Sequence, residues 1–120
     1  LAVDNSPAFL CALSSFFEND PNVELVATVT SGQEALTAVS ELRPDLVLMD
    51  LQMPGMNGLE ATRELSRRFP EIPVIVVTAH DMPDLCQACK SSGARDFATK
   101  GRLSQDLRAI LARVLRSLDA

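Results

Sequence analysis

The sequence predicts an α/β protein built on a five-stranded parallel sheet with helices on both faces. Three observations carry this. The runs Leu46-Val47-Leu48-Met49 and Val74-Ile75-Val76-Val77 are apolar at consecutive positions, as in strands buried on both faces. Each strand pattern is followed by a stretch with helical apolar spacing. The connections between them are short and marked by Pro, Gly, Asn and Asp. Five such strand–helix units in series leave a parallel sheet, covered on both sides, as the consistent architecture.

The elements follow in order. Leu1-Ala2-Val3 reads as a short first strand. Ser6-Pro7 opens a helix, with Ser as N-cap and Pro in the first turn, and Phe9, Leu10, Leu13, Phe16 and Phe17 keep helical spacing. Asp20-Pro21-Asn22 is a turn, and Val23 to Val29 is the second strand. Ser31-Gly32-Gln33-Glu34 is a capping box opening a helix that carries Leu36, Val39 and Leu42 inward; Arg43-Pro44 stops it. Asp45 to Met49 is the third strand, and Gly58 to Phe69 the third helix, with Leu59, Thr62, Leu65 and Phe69 on one side. Pro70 and Pro73 bracket the turn into the fourth strand, Val74 to Val77. Asp81 caps a fourth helix reaching about Ser92, where Gly93 ends it. Arg95 to Ala98 is a brief fifth strand. The last helix carries the apolar stripe Leu103, Leu107, Ile110, Leu111, Val114, Leu115 and Leu118. No linker, low-complexity segment or internal repeat interrupts the series, so residues 1–120 read as one domain.

Composition narrows the function classes. At 120 residues and 47% hydrophobic content the chain can bury a real core. No apolar stretch approaches the ~20 residues that span a bilayer, and no signal-peptide pattern opens the sequence, so a membrane role is not expected. The start at Leu1 rather than Met suggests an excised domain. Net charge is −5, with 11 Lys and Arg mostly scattered, which makes this piece alone a poor nucleic-acid binder. Contact with DNA would need a second domain. Three cysteines, an odd count, suit a reducing cytoplasm better than a disulfide scaffold.

Asp50 is the residue that calls for a function. It ends a strand buried on both faces and precedes Leu51-Gln52-Met53-Pro54-Gly55-Met56-Asn57-Gly58, a loop broken by Pro and Gly. A carboxylate there is costly unless something uses or neutralises it. The carboxyl ends of parallel strands are also where ligands bind in open α/β sheets. The other strands bring partners to the same rim: Asp4 and Asn5 from the first, Thr78 from the fourth, Lys100 just beyond the fifth. Two carboxylates suit Mg²⁺, which prefers oxygen ligands. An ammonium and a hydroxyl suit a phosphoryl group, whose transfer depends mostly on positioning and electrostatics. Asp50 would then be a nucleophile forming an acyl phosphate.

Asp4-Asn5, Leu46 to Gly58, Val76-Val77-Thr78-Ala79 and Gly93-Ala94-Arg95-Asp96-Phe97-Ala98-Thr99-Lys100 together resemble the receiver domain of two-component response regulators, the CheY-like family. The likeness covers essentially the whole chain, in order. It implies a flavodoxin-like three-layer sandwich with strand order 2-1-3-4-5. It also implies roles. Asp50 resembles the phosphoacceptor, Asp4 the first acidic-pocket residue, Thr78 the switch hydroxyl and Lys100 the lysine that contacts the phosphoryl group. Phe97 stands at the rotating aromatic. Gln52 resembles the position whose carbonyl binds the metal, and Gln52 and His80 resemble the positions that tune hydrolysis. Implied partners are Mg²⁺, a sensor histidine kinase and a second copy of the chain on activation. The segment from Gly93 to Lys100 resembles regulators with a LuxR-type helix-turn-helix output domain, which this chain does not include. The resemblance implies a signalling domain rather than an enzyme, its only chemistry being self-phosphorylation and autodephosphorylation.

Three positions depart from the family pattern. Asn5 stands where a second metal-ligating acid is usual, which removes one negative charge. Phe97 lacks the hydroxyl of polar switch aromatics. Gly101 follows Lys100 where many members have Pro. Plainer readings stand beside the sharp ones. Asp50 as a simple loop cap is disfavoured by four matching partners, whereas Asn5 as a turn residue stays open. His80 reads as an exposed loop residue before it reads as an acid–base catalyst. Cys86 and Cys89 read as two thiols of a helix face, since a zinc site needs two more ligands and His80 is the only histidine. Arg102, Arg108, Arg113 and Arg116 read as a solvated face, and secondarily as a surface for pairing with another protomer. Three other functions compete: a phosphorylation-independent interaction module, favoured only by Asn5; a haloacid-dehalogenase-type phosphatase, disfavoured because Gln52 and Pro54 replace its acid and Thr; and a dinucleotide binder, which lacks the Gly-x-Gly-x-x-Gly turn.

Overall fold

The structure is a computed structural model and describes residues 1–20, 23–51, 58–78 and 83–119. Five parallel strands, β1 (Ala2–Val3), β2 (Thr28–Val29), β3 (Val47–Asp50), β4 (Val74–Thr78) and β5 (Asp96–Thr99), form one sheet in the order β2-β1-β3-β4-β5. They alternate with helices α1 (Pro7–Phe17), α2 (Gly32–Leu42), α3 (Gly58–Arg68), α4 (Pro83–Ser91) and α5 (Leu103–Asp119). A single 3₁₀ turn, Lys100–Arg102, leads from β5 into α5. This is the flavodoxin-like receiver architecture expected from the sequence.

Alternation along the strands divides the core between the faces. Leu48, Ile75, Val77 and Ala98 pack with Leu10, Leu13 and Phe17 of α1 and with Leu103, Leu107, Ile110, Leu111 and Val114 of α5. Val3, Val47, Met49 and Val74 pack with Ala35, Ala38 and Val39 of α2 and Ala61 and Leu65 of α3. Val76 joins Leu51, Cys89 of α4 and Ala94 in a smaller cluster, against which Leu59 and Phe97 lie. The apolar stripe of the last helix is therefore core over its described side chains. Cys89 packs there as a small hydrophobe; Cys86, its sequence partner, lies where side chains are outside the described set.

The helix ends match the caps read from the sequence. Ser6 Oγ accepts the Phe9 amide at 3.3 Å with Pro7 in the first turn. Ser31 Oγ accepts the Glu34 amide at 3.2 Å, while the Glu34 carboxylate takes the hydroxyls of Ser31 and Thr30. Arg43 ends α2 in the left-handed region at φ 48° and donates its amide to Val39 O at 2.9 Å. Asp81, the expected cap of α4, lies outside the described residues, as do Pro21 and Asn22 of the first turn.

Several boundaries differ from expectation. The second strand is only Thr28–Val29, not Val23 to Val29. It is an edge strand whose sole neighbour, β1, offers two residues for pairing. Residues 23–27 keep an alternating burial pattern without a full ladder. Leu42 is 49% exposed instead of inward. It continues the stripe of Ala38 and Val39 but lines an open cavity of about 1020 Å³ together with Val26, itself exposed. Val39 is buried as expected and Leu36 packs partly buried against the same core, joined by Ala35 and Ala38. The third and fifth strands each run one residue further toward the rim, to Asp50 and Thr99. The fourth likewise includes Thr78.

Candidate functional site

The strand register assembles the rim. Val3 pairs with Met49, so the next residues, Asp4 and Asp50, sit side by side at the ends of β1 and β3. Asp50 pairs with Val77, which puts Thr78 one step beyond it on β4. Thr78 pairs with Thr99, and Lys100 follows at the start of the 3₁₀ turn. Residues far apart in sequence thus converge because four parallel strands end at one level.

Both carboxylates are buried: Asp4 is 1% exposed and Asp50 6%, with Thr78 at 2%. Asp4 Oδ1 accepts the Ser6 amide at 2.8 Å, so the first turn of the chain fixes its orientation. Lys100 Nζ stands 2.7 Å from Asp4 Oδ2 and 3.8 Å from Asp50 Oδ1. The first is an ion-pair contact; the second is longer than a hydrogen bond. Even the short contact lies off hydrogen-bond geometry, since Asp4 Oδ2 accepts none among the described residues. Among the described residues the Lys100 ammonium is thus within ion-pair distance of both buried carboxylates. Two carboxylates side by side in a poorly solvated place repel one another, and a bound cation would ease that repulsion.

The donor set suits a hard dication of the Mg²⁺ kind: carboxylate oxygens, one of them buried and accepting no hydrogen bond. Among the described residues no group of three or more His, Cys, Asp or Glu side chains comes together. Asn5 lies beside Asp4 but is exposed. Gln52 and His80 fall outside the described residues. Phe97, half-buried on β5, turns to the side of the sheet opposite Ala98 and packs with Val76 and Cys89.

Two features of the site were not legible as such in the sequence. Phe9, read only as an apolar helix residue, places its ring under Lys100 Nζ at 4.4 Å from the centroid. Gly58, read as a loop breaker, opens α3 against the backbone of Asp50: a Cβ on it would meet Asp50 O at 2.1 Å. Three of the terminal arginines also find partners within the chain, the side chain of Arg116 lying outside the described set. Arg108 pairs with Asp20 at 3.5 Å, Arg102 with Asp106 at 3.5 Å, and Arg113 with Asp96, whose other oxygen accepts the Phe97 amide at 2.8 Å. The cavity of about 1020 Å³ lies at the opposite end of the sheet, lined by residues such as Leu1, Phe17 and Leu46. Its size does not make it the site, because none of the rim groups faces it.

A five-unit doubly wound sheet with two buried carboxylates, a hydroxyl and an ammonium at its carboxyl edge defines a receiver-type signalling domain. The response regulator receiver domain family matches residues 1–112, and the chain belongs to that family. It is 37% identical over 101 residues to the response regulator GacA of Pseudomonas viridiflava, covering 84% of this chain and 47% of GacA. It is also 37% identical over 102 residues to protein-glutamate methylesterase/protein-glutamine glutaminase 2 of Koribacter versatilis (strain Ellin345), covering 83% of this chain and 28% of that protein. The crystal structure of a LuxR-family two-component response regulator from Aurantimonas sp. SI85-9A1 superposes with a TM-score of 0.83. It has 30% identity and covers 93% of this chain and 83% of that one. The chain spans about half the length of GacA and less of the methylesterase.

These relatives correct one expectation. The sequence reading set the chain apart from enzymes, yet the methylesterase matches as well as GacA does. The matched stretch is under a third of that enzyme, so a receiver fold coexists with a catalytic region in one protein. The resemblance therefore gives no ground for separating this protein from enzymes. Family membership also displaces the phosphatase and dinucleotide-binder alternatives. No helix among the described residues is long and apolar enough to cross a membrane.

Proposed function

We propose that this domain is a phosphorylation switch in which Asp50 accepts a phosphoryl group from a sensor histidine kinase. The observation that carries the reading is the buried Asp4–Asp50 pair with the Lys100 ammonium beside both. In the transfer, an Asp50 carboxylate oxygen bonds to phosphorus. The phosphorus–nitrogen bond of the kinase phosphohistidine breaks, and its electron pair stays on the imidazole. Lys100 moves its charge from Asp4 toward the phosphoryl oxygens, and the Thr78 hydroxyl donates to one of them. Mg²⁺, held by Asp4 and Asp50 with an oxygen of Asn5 or Gln52, would supply further positive charge against those oxygens. Gln52 and His80 set how readily water removes the group.

The signal leaves the site through Thr78 and Phe97 toward the α4–β5–α5 face, a local charge change biasing a two-state element. That face controls pairing with a second copy, or an output domain of the LuxR helix-turn-helix type that alone would contact DNA. The setting is the cytoplasm. Incubation with a phosphorylated histidine kinase tests this reading. Label appearing on the wild type and not on Asp50→Asn is the expected result; a labelled Asp50→Asn variant would sink it. Exposure of Asn5 favours one other reading, a receiver-shaped interaction module that works without phosphorylation. It predicts partner binding unchanged by Asp50→Asn.

A further inference from the structure

We infer that Phe9 is a positioning residue for phosphoryl transfer, holding the Lys100 ammonium over the two carboxylates. This rests on the phosphorylation-switch reading. Lys100 is a long, flexible side chain, and a quarter of it stays exposed to solvent. Gly101, next in the chain, has no neighbour within reach of a Cβ. Confinement comes from the opposite end of the sequence. Asp4 Oδ2 lies 2.7 Å from Nζ, and the centroid of the Phe9 ring lies 4.4 Å from it.

Both contacts belong to one rigid unit. The Ser6 amide fixes Asp4 Oδ1 at 2.8 Å, and the Phe9 amide donates to Ser6 Oγ at 3.3 Å. Residues 4, 6 and 9 therefore form a single turn whose caps set the spacing between carboxylate and ring. The ring is half-buried and lines a small groove of about 210 Å³ between α1 and α5, together with Phe16, Leu103 and Leu107. A cation over an aromatic face is attracted by the ring quadrupole, more strongly where water is partly excluded. An aliphatic side chain of similar bulk fills the same groove without that attraction. Phe9 thus removes from Lys100 the freedom to swing into solvent, and keeps it 3.8 Å from the Asp50 oxygen where a phosphoryl group would arrive.

The test compares wild type, Phe9→Leu and Phe9→Tyr for the rate of Asp50 phosphorylation by phosphoramidate with Mg²⁺, and repeats Phe9→Leu in a Lys100→Ala background. Proton NMR reads the ring-current shift of the Lys100 ε-methylene in each variant that retains Lys100. Phe9→Leu is expected to slow labelling about two- to fivefold and to abolish the upfield shift. Phe9→Tyr, which keeps the π-face, restores both. In the Lys100→Ala background Phe9→Leu changes nothing further. A labelled Phe9→Leu variant reacting at the wild-type rate overturns the inference. So does an equal slowing in both backgrounds, which would make Phe9 a packing residue only. If the wild type takes no label from phosphoramidate or from a phosphorylated histidine kinase, the switch reading has failed and this inference falls with it, an outcome distinct from the other two.

Discussion

Gly58→Ala probes how the start of α3 fixes Asp50. A Cβ at Gly58 would lie 2.1 Å from Asp50 O, 2.6 Å from Leu51 Cα and 2.8 Å from Asp50 C. All three are backbone atoms, so no flexible side chain can give way. The Gly58 amide also donates to Leu51 O at 3.0 Å, which ties the helix to the strand end it would have to leave. Forcing one methyl into such a contact costs about 1–3 kcal/mol. At roughly 4 °C per kcal/mol for a domain near this size, the melting temperature should fall by about 4–12 °C. Urea unfolding monitored by far-UV circular dichroism should move its midpoint with an unchanged slope. Relief comes by pushing the Asp50 carbonyl aside, so labelling by a small phosphodonor should also drop, by about tenfold to a hundredfold. A variant within about 0.5 kcal/mol of wild type and labelled at its rate would refute the close-approach argument.

Other perturbations follow from the same geometry. Asp50→Asn removes one of two adjacent buried carboxylates, and with it their mutual repulsion, and leaves the 2.7 Å Asp4–Lys100 pair intact. Without divalent cation it should be at least as stable as wild type, by about 0–1 kcal/mol in urea, and a clear loss would show that Asp50 is a structural partner of Lys100. Mg²⁺ should raise the melting temperature of the wild type, by about 1.4 kcal/mol of stability at ten times its dissociation constant, and do so far less for Asp4→Asn. Equal rises in both would place the metal elsewhere. Gly93→Ala meets two obstacles, a φ of 105° and Ser66 Oγ at 2.3 Å. It should lose about 1–3 kcal/mol, and Ser66→Gly should recover only the steric part. Complete recovery in thermal melts would show the backbone angle to be unimportant.

The sequence was readable where burial follows a period and where chemistry sits at a strand end. Five strand–helix units, the Ser6 and Ser31 caps and the rim set of Asp4, Asp50, Thr78 and Lys100 all follow from local pattern plus parallel topology. What was not readable depends on which elements meet. Val23 to Val29 alternates like a strand, but a ladder needs a neighbour of equal length and β1 is short. Leu42 keeps the helical stripe, yet it faces an open cavity and not the core. Phe9 and Lys100 belong to opposite ends of the chain, and no spacing rule links them. Gly58 looked like a turn glycine because its reason, a backbone approach to Asp50, exists only in three dimensions.

Intact-protein mass spectrometry after incubation with acetyl phosphate and Mg²⁺, run beside Asp50→Asn, tests the central claim most directly. One added phosphoryl group on the wild type, absent from the variant, is the predicted result. An adduct that persists in Asp50→Asn, or none on the wild type with acetyl phosphate and with a phosphorylated histidine kinase alike, would contradict it.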